Sequence, residues 1–268
     1  MPYLQTNSIR LYYETHGSGR PLVLIAGISY DLWMWHKMVP GLAERCQVIA
    51  FDNRGSGRTD QPAGPYSAQL LADDTAGLIE ALGLERASVM GHSMGGFIAQ
   101  ALALSRPDLV DKLILSATNF GGPRHIPVTP QAMAVLMDVS GDPAERFKRG
   151  LSVSTAPGFA AAHPEVVQEW LDYRAANPLQ PGPYQAQLAI GLGLIPEAAS
   201  FERRLKEVKA PTLILFGEHD QVVPPGNAGL LARELPDSTV RILPKCGHFF
   251  PLETPEAAVA AVAEFLGS

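Results

Sequence analysis

Three residues of this chain have the chemistry and the order along the chain for nucleophilic acyl transfer. Ser93 stands in Gly91-His92-Ser93-Met94-Gly95-Gly96, after an apolar run that ends at Met90 and before a helical pattern that opens at Met94. A serine on so tight a strand-to-helix turn has its hydroxyl lifted above the sheet edge, and the flanking glycines leave room for the crossing chain. The helix start adds unpaired N–H groups and partial positive charge, which suit a developing oxyanion. A serine hydroxyl needs a base to take its proton, and the base needs an orienting carboxylate. Asp220, in Gly217-Glu-His-Asp-Gln, and His248, in Cys246-Gly-His-Phe-Phe, follow Ser93 in that order. Each has a plainer reading. Asp220 could cap a helix beginning near Pro224, with Glu218 the nearest rival for the acid role. His248 could be a satisfied loop histidine, and Gly91–Gly96 a helix start with packing glycines. His92 adjoins Ser93, but its side chain should point away from the hydroxyl.

The elements that must position these residues are legible in the hydrophobic pattern. Leu4, Ile9, Leu11 and Tyr13 alternate ahead of His16-Gly-Ser-Gly, which reads as two short antiparallel strands and a turn. Continuous apolar runs follow at Pro21–Ala26, Val48–Phe51, Ala87–Met90, Lys112–Ser116, Pro211–Phe216 and Ser238–Leu243. Such runs suit strands with both faces covered by helices. Helical patterns separate them at 34–44, 67–82 (capped by Ser67), 94–106 and 255–266. The alternation predicts an α/β fold with a mostly parallel sheet. Asp220 and His248 then lie just past strand ends, at the carboxyl edge where such sheets build their sites.

One region breaks the alternation. Residues 119–200 hold 10 of the 23 prolines and no convincing strand. Helical fragments are expected at Gln131–Val139, Pro143–Leu151, Pro164–Ala176 and Tyr184–Leu192. Met133, Leu136, Phe147, Trp170 and Tyr173 supply apolar anchors, so the segment reads as an inserted helical cap and not a linker. The expected organisation is a core of residues 1–118 and 201–268 with a cap of 119–200.

Composition narrows the function classes. The 268 residues are 46% hydrophobic and 18% charged, which excludes intrinsic disorder. A net charge of −6 without basic runs gives no phosphate electrostatics, so neither nucleic acid nor an anionic membrane is the expected partner. The longest apolar stretches are strand-sized, and residues 1–20 lack the basic start and apolar block of a signal peptide. A cytoplasmic protein is therefore expected. Cys46 and Cys246 read as buried thiols, and no Cys/His set has zinc-ligand spacing apart from the close pair Cys246 and His248.

With these residues in view, the chain resembles the α/β-hydrolase superfamily from end to end. Gly91-His-Ser-Met-Gly-Gly is similar to its nucleophile elbow, and Phe51-Asp-Asn-Arg-Gly-Ser-Gly-Arg-Thr-Asp60 to the loop after its fourth strand. Asp220 and His248 match its acid and base positions, and Trp35 a tryptophan usually found after its oxyanion loop. The resemblance implies an eight-stranded, mostly parallel sheet. It also implies an oxyanion hole made by the backbone N–H groups of Ile28 and Met94. Many members carry His-Gly where this chain has Ala26-Gly27; the donor is a backbone group, so the departure touches only the loop's supporting hydrogen bonds. Some members carry the acid after the sixth strand, but Ser116-Ala-Thr-Asn-Phe120 has no carboxylate. In this family the loop of Asp52 and Arg54 is mostly structural.

The expected function is hydrolysis of a small-molecule carboxylic ester or lactone through an acyl-enzyme on Ser93, a chemistry that requires no metal or organic cofactor. The layout resembles 3-oxoadipate enol-lactonases and small esterases. Cofactor-free haloperoxidases acting as perhydrolases, carbon–carbon bond hydrolases and slow-turnover receptors carry the same triad and stand as alternatives. Trp33, Met133, Leu136 and Met137 are the candidates for lining the substrate pocket, with the core as the competing place for each. Arg124 and His125 could meet a substrate carboxylate, although a solvated surface position suits them better.

Overall fold

The first hairpin shows how turn chemistry sets the edge of the sheet. Strands β1 (Tyr3–Thr6) and β2 (Ile9–His16) are joined by Asn7 and Ser8, both at positive φ (43° and 63°). Two such residues make the two-residue turn whose twist matches that of the strands. The computed structural model describes residues 2–138 and 140–267. The remaining strands are β3 (Pro21–Ile25), β4 (Gln47–Phe51), β5 (Ala87–His92), β6 (Val110–Ser116), β7 (Thr212–Gly217) and β8 (Ser238–Leu243). They form one eight-stranded sheet in the order β1-β2-β4-β3-β5-β6-β7-β8. The β1–β2 and β2–β4 pairs are antiparallel and all later pairs are parallel. The expected α/β architecture is the observed one.

Side chains alternate between two cores, as the strand period of two requires. Val23, Ile25, Val89, Ile214 and Phe216 point to one face, with Leu71 and Ile98 of the covering helices. Leu22, Leu24, Met90, Leu213 and Leu215 point to the other, against Trp35, Leu42 and Val262. The helices are α1 (Val39–Ala43), α2 (Ala68–Ala81), α3 (Met94–Ser105), α4 (Pro130–Met137), α5 (Pro143–Ser154), α6 (Phe159–Ala162), α7 (Pro164–Ala176), α8 (Pro181–Gly193), α9 (Gly226–Glu234), α10 (Phe250–Glu253) and α11 (Pro255–Gly267). Ser67 caps α2 by accepting from the Leu70 N–H at 3.1 Å, as expected.

Helices α4 to α8 lie between β6 and β7, in the stretch read as a cap. A capping box between Asp142 and Glu145 starts α5. Leu151, Val167, Trp170 and Leu171 form a separate apolar cluster that reaches Leu252 and Phe249 of the core. Val139, the expected last residue of the first fragment, lies outside the described residues. Two expectations need correction. The helix expected over 34–44 is a 3-10 turn, Leu32–Trp35, followed by the short α1. Pro40 lacks an N–H and its ring crowds the carbonyl four residues back, so a continuous helix cannot pass through it. Helix α6 was not expected; it starts after Gly158 at φ 83°.

A buried ion pair ties the hairpin to the sheet. Arg54 donates to Asp74 through Nε (2.8 Å) and Nη2 (2.5 Å), and Asn7 Nδ2 donates to the same carboxylate at 2.8 Å. Arg54 Nη2 also donates to the Asn7 carbonyl at 3.1 Å. Removing one partner of a buried pair strands the other charge. Asp74→Ala should therefore lower stability by about 3–5 kcal/mol, measured by urea unfolding; a loss below about 1 kcal/mol, the range of surface pairs, would rule out this role.

Candidate active site

The turn between β5 and α3 is forced into a shape that few residues adopt. Ser93 has φ 55° and ψ −116°. Neighbouring groups fix it there: its N–H donates to the Ser116 carbonyl at 2.8 Å, and its carbonyl accepts from Gly96 N–H (2.9 Å) and Thr118 Oγ1 (2.8 Å). Glycine is required on both sides for lack of space. A Cβ on Gly91 would run into the Gly95 carbonyl, and one on Gly95 into the carbonyls of Ile25 and Ala26.

Two loops at the same edge of the sheet bring Asp220 and His248 together. Asp220 follows β7, His248 follows β8, and Asp220 Oδ2 lies 2.7 Å from His248 Nδ1. Gly217 permits the approach, since a Cβ there would meet the Gly247 carbonyl, and Gly247 in turn leaves room for the backbone of Ser154 and Thr155. The second carboxylate oxygen, Oδ1, accepts from the N–H groups of Val222 (2.9 Å) and Val223 (2.8 Å). Asp220 therefore spends one oxygen on its own loop and the other on the imidazole. The N-cap position of α9 is Pro225, not Asp220. Glu218 is exposed, and its carboxylate accepts from the Lys245 N–H at 3.0 Å. An ionised carboxylate only accepts hydrogen bonds, so Nδ1 carries the imidazole proton and Nε2 is left as the basic nitrogen.

His92 is buried, with Nδ1 2.8 Å from Ser116 Oγ and its ring centroid 4.9 Å from that of His248. Burial, reinforced by repulsion from His248, holds its pKa well below that of an ordinary histidine, so it stays neutral beside the His248 ring. The loop after β3 is the third component. Asn53 Nδ2 donates to the Ala26 carbonyl at 3.0 Å, and Tyr30 N–H closes a turn onto Gly27 at 3.3 Å. Ile28 lies inside that turn, and Met94 opens α3, where an N–H has no intrahelical acceptor. A serine hydroxyl, a carboxylate-held imidazole and two backbone donors are the parts that acyl transfer needs.

The residues expected at the pocket have different surroundings from one another. Trp33 is stacked on Tyr173 (4.0 Å between centroids) and on His36 (4.2 Å), and packs against the cluster containing Trp170 and Phe249. Met133, Leu136 and Met137 are exposed, Met137 by 70%, so the core is not their place. Arg124 is paired with Glu202 at 2.8 Å, and His125 Nδ1 meets the Gly122 carbonyl at 2.6 Å. Asp52 is buried and accepts from the N–H groups of Leu32 (2.9 Å) and Arg58 (2.8 Å), which fits a structural role. Both cysteines are free and buried. Among the described residues no group of His, Cys, Asp and Glu is placed to hold a metal ion. None of their helices is long and apolar enough to cross a membrane. A groove of about 890 Å³ is walled by Trp33, Tyr173, Arg174 and Gln187, and not by Ser93 or His248.

Glu253 was missed in the sequence, although a carboxylate five residues after His248 was the available signal. It accepts from Gly247 N–H at 3.0 and 3.2 Å and from Ala156 N–H at 2.7 Å, joining the His248 loop to the inserted helices. Burial raises its pKa from 4.5 to about 7. A raised carboxyl pKa means the folded protein holds the proton more tightly than the unfolded chain does. Its contribution to stability therefore falls as pH rises from 4.5 to about 7, and is level above that. The stability advantage of the parent over Glu253→Gln should accordingly be larger at about pH 5 than at about pH 8, as read by urea unfolding at both. An equal or reversed difference would contradict the buried carboxyl.

Comparison with known proteins agrees with this fold. A family model described as alpha/beta hydrolase fold matches residues 20–255. A 2-hydroxy-6-oxononadienedioate/2-hydroxy-6-oxononatrienedioate hydrolase from Burkholderia vietnamiensis (strain G4 / LMG 22486) is 31% identical over 267 residues, 96% of this chain and 91% of the relative. A thermophilic esterase from Thermogutta terrifontis superposes with a TM-score of 0.80 at 29% identity, covering 98% of this chain and 97% of that one. The enol-lactonase from Burkholderia xenovorans LB400 superposes with a TM-score of 0.83 at 25% identity, covering 100% of both chains. With its strand order, its strained serine turn and a family match over most of its length, this chain belongs to the α/β hydrolase fold family.

Proposed function

We propose that this chain hydrolyses carboxylic esters or lactones through an acyl-enzyme. The observation that carries the reading is the 2.7 Å contact of His248 with the buried Asp220, at the sheet edge that presents Ser93. Ser93 Oγ attacks the acyl carbon while His248 Nε2 takes its proton. The carbonyl π electrons move to oxygen, and the N–H groups of Ile28 and Met94 bind the resulting oxyanion. Collapse expels the alcohol, which receives the proton from His248. Water then attacks the acyl-enzyme by the same route, returning the acid and free Ser93. Asp220 holds the imidazole tautomer and stabilises its charged form. The segment 119–200 acts as a cap over the serine, with Met133, Leu136 and Met137 offered to the apolar part of a substrate. The esterase and the enol-lactonase that share the fold support an ester or lactone.

Ser93→Ala should lower p-nitrophenyl acetate turnover by about 10⁴-fold or more and leave the unfolding midpoint nearly unchanged. A residual burst of p-nitrophenol in that variant would remove Ser93 from the chemistry. Asp220→Asn should cost about 10³–10⁴-fold in kcat through the wrong imidazole tautomer, whereas Glu218→Gln stays within about two-fold of the parent, as a solvated surface change should. The reverse ranking would assign the acid role to Glu218. A panel of short esters, a lactone and a ring-cleavage dienoate decides the substrate class: fastest turnover of the dienoate would move the chain to carbon–carbon bond hydrolysis, and a single slow event would make it a receptor.

A further inference from the structure

The loop that carries Ile28 has no side chain of its own to hold its shape. Ala26, Gly27 and Ile28 offer no polar side chain, and the Gly27–Ile28 peptide is held within its own loop by one long backbone bond, from Tyr30 N–H to the Gly27 carbonyl at 3.3 Å. Ser29 has φ 65°, at a turn position where glycine is usual. Strain of this kind persists only where the surroundings over-determine it. The peptide before Gly27 is fixed by Asn53 through the Ala26 carbonyl. The peptide after Ile28 is fixed from the inserted helices. Gln187 of α8 is 1% exposed, and its Oε1 accepts the Ser29 N–H at 2.9 Å. Its Nε2 donates to the Arg54 carbonyl at 3.1 Å and to Ser56 Oγ at 2.8 Å. These partners leave the amide one orientation, because reversing it would set donor against donor and acceptor against acceptor. Arg174 of α7 donates from Nη1 to the Ser29 carbonyl at 3.2 Å, with its guanidinium 4.9 Å from the Tyr30 ring centroid.

We propose that Gln187, assisted by Arg174, is a positioning residue for the oxyanion donor Ile28. The inserted helices then complete the catalytic loop as well as covering the site. The inference rests on the ester or lactone mechanism above for its kinetic reading, and on hydrogen bonding alone for its structural reading. Without Gln187, Ser29 N–H loses its acceptor, the Gly27–Ile28 peptide samples other orientations, and the Ile28 donor no longer meets the oxyanion.

Gln187→Leu keeps the side-chain volume and removes all three hydrogen bonds. Its kcat for p-nitrophenyl acetate should fall about 10- to 100-fold with KM within about two-fold, as expected when a group aimed at the transition state is misplaced. Thionoesters place a large, weakly accepting sulfur in the oxyanion position, so their turnover should fall much less. The oxyester-to-thionoester rate ratio should therefore shrink about tenfold. Arg174→Met should move the ratio in the same direction by less, and Arg174→Lys should restore part of it; this pair decides the matter if Gln187→Leu does not fold. An unchanged kcat, or an equal loss on both esters, would overturn the proposal. Ser29 amide hydrogen exchange gives a readout that needs no substrate: it should accelerate at least about tenfold in Gln187→Leu, and an unchanged rate overturns the brace. If the parent turns over no ester, the ester mechanism fails and the exchange result alone decides the brace.

Discussion

The carboxyl edge of the sheet depends on one reversal of the chain, the turn at Ser93 between β5 and α3. A non-glycine residue at φ 55° and ψ −116° costs on the order of 1–3 kcal/mol. The Ser116 carbonyl, Thr118 hydroxyl and Gly96 N–H all hold it there. The space for the reversal comes from Gly91 and Gly95, and the contact of Gly95 with the carbonyls of Ile25 and Ala26 also sets the distance to the β3 loop. The serine and the proposed oxyanion donors are thus placed by the same backbone packing. A side chain on Gly95 would disturb both.

Buried carboxylates fix the surrounding loops by a shared device. Asp52 joins the loops after β3 and β4 through the N–H groups of Leu32 and Arg58. Asp74 holds the first hairpin through Arg54 and Asn7. Asp220 orders its own loop through Val222 and Val223 and keeps one oxygen for His248. For Asp52 and Asp74 burial disfavours the charged form, and donors aimed at the carboxylate offset part of that cost. What separates Asp220 from the other two is its partner: an imidazole, where Asp52 meets backbone amides and the Arg58 guanidinium and Asp74 meets the Arg54 guanidinium.

Local signals carried most of this to the surface of the sequence. Apolar runs marked strands β3 to β7, because a doubly covered sheet needs both faces apolar; β8, the edge strand, is mostly exposed. Gly91-His-Ser-Met-Gly-Gly marked the reversal, because only glycines fit beside it. Asp220 and His248 were legible by their place just past strand ends. Less legible were features made by distant residues meeting in space. Gln187 sits 158 positions from Ser29, and nothing in its own neighbourhood marks it as the partner of a strained loop. The stacking of Trp33 between His36 and Tyr173 is likewise a tertiary event. Pro40 was a visible signal for the break in the 34–44 helix, but the apolar periodicity outweighed it.

The inserted helices meet the core in two chemically different ways, and both contacts fall on elements of the site. Toward the β3 loop the contact is polar: Gln187 and Arg174 on Ser29, and the Tyr173 hydroxyl on Asp31. Toward the His248 loop it is mainly apolar, with Leu151 and Trp170 against Phe249 and Leu252, and Ser154 accepting the Phe249 N–H at 3.0 Å. Apolar contacts tolerate small slides because they are non-directional. The hydrogen bonds at Ser29 do not, since they weaken steeply once bent. A change in the insertion that tilts α7 or α8 therefore acts on the β3 loop through the bonds at Ser29, while the His248 loop keeps its own directional ties at Ala156 and Ser154. On the proposed mechanism, a substitution in α8 made to alter substrate choice alters turnover as well.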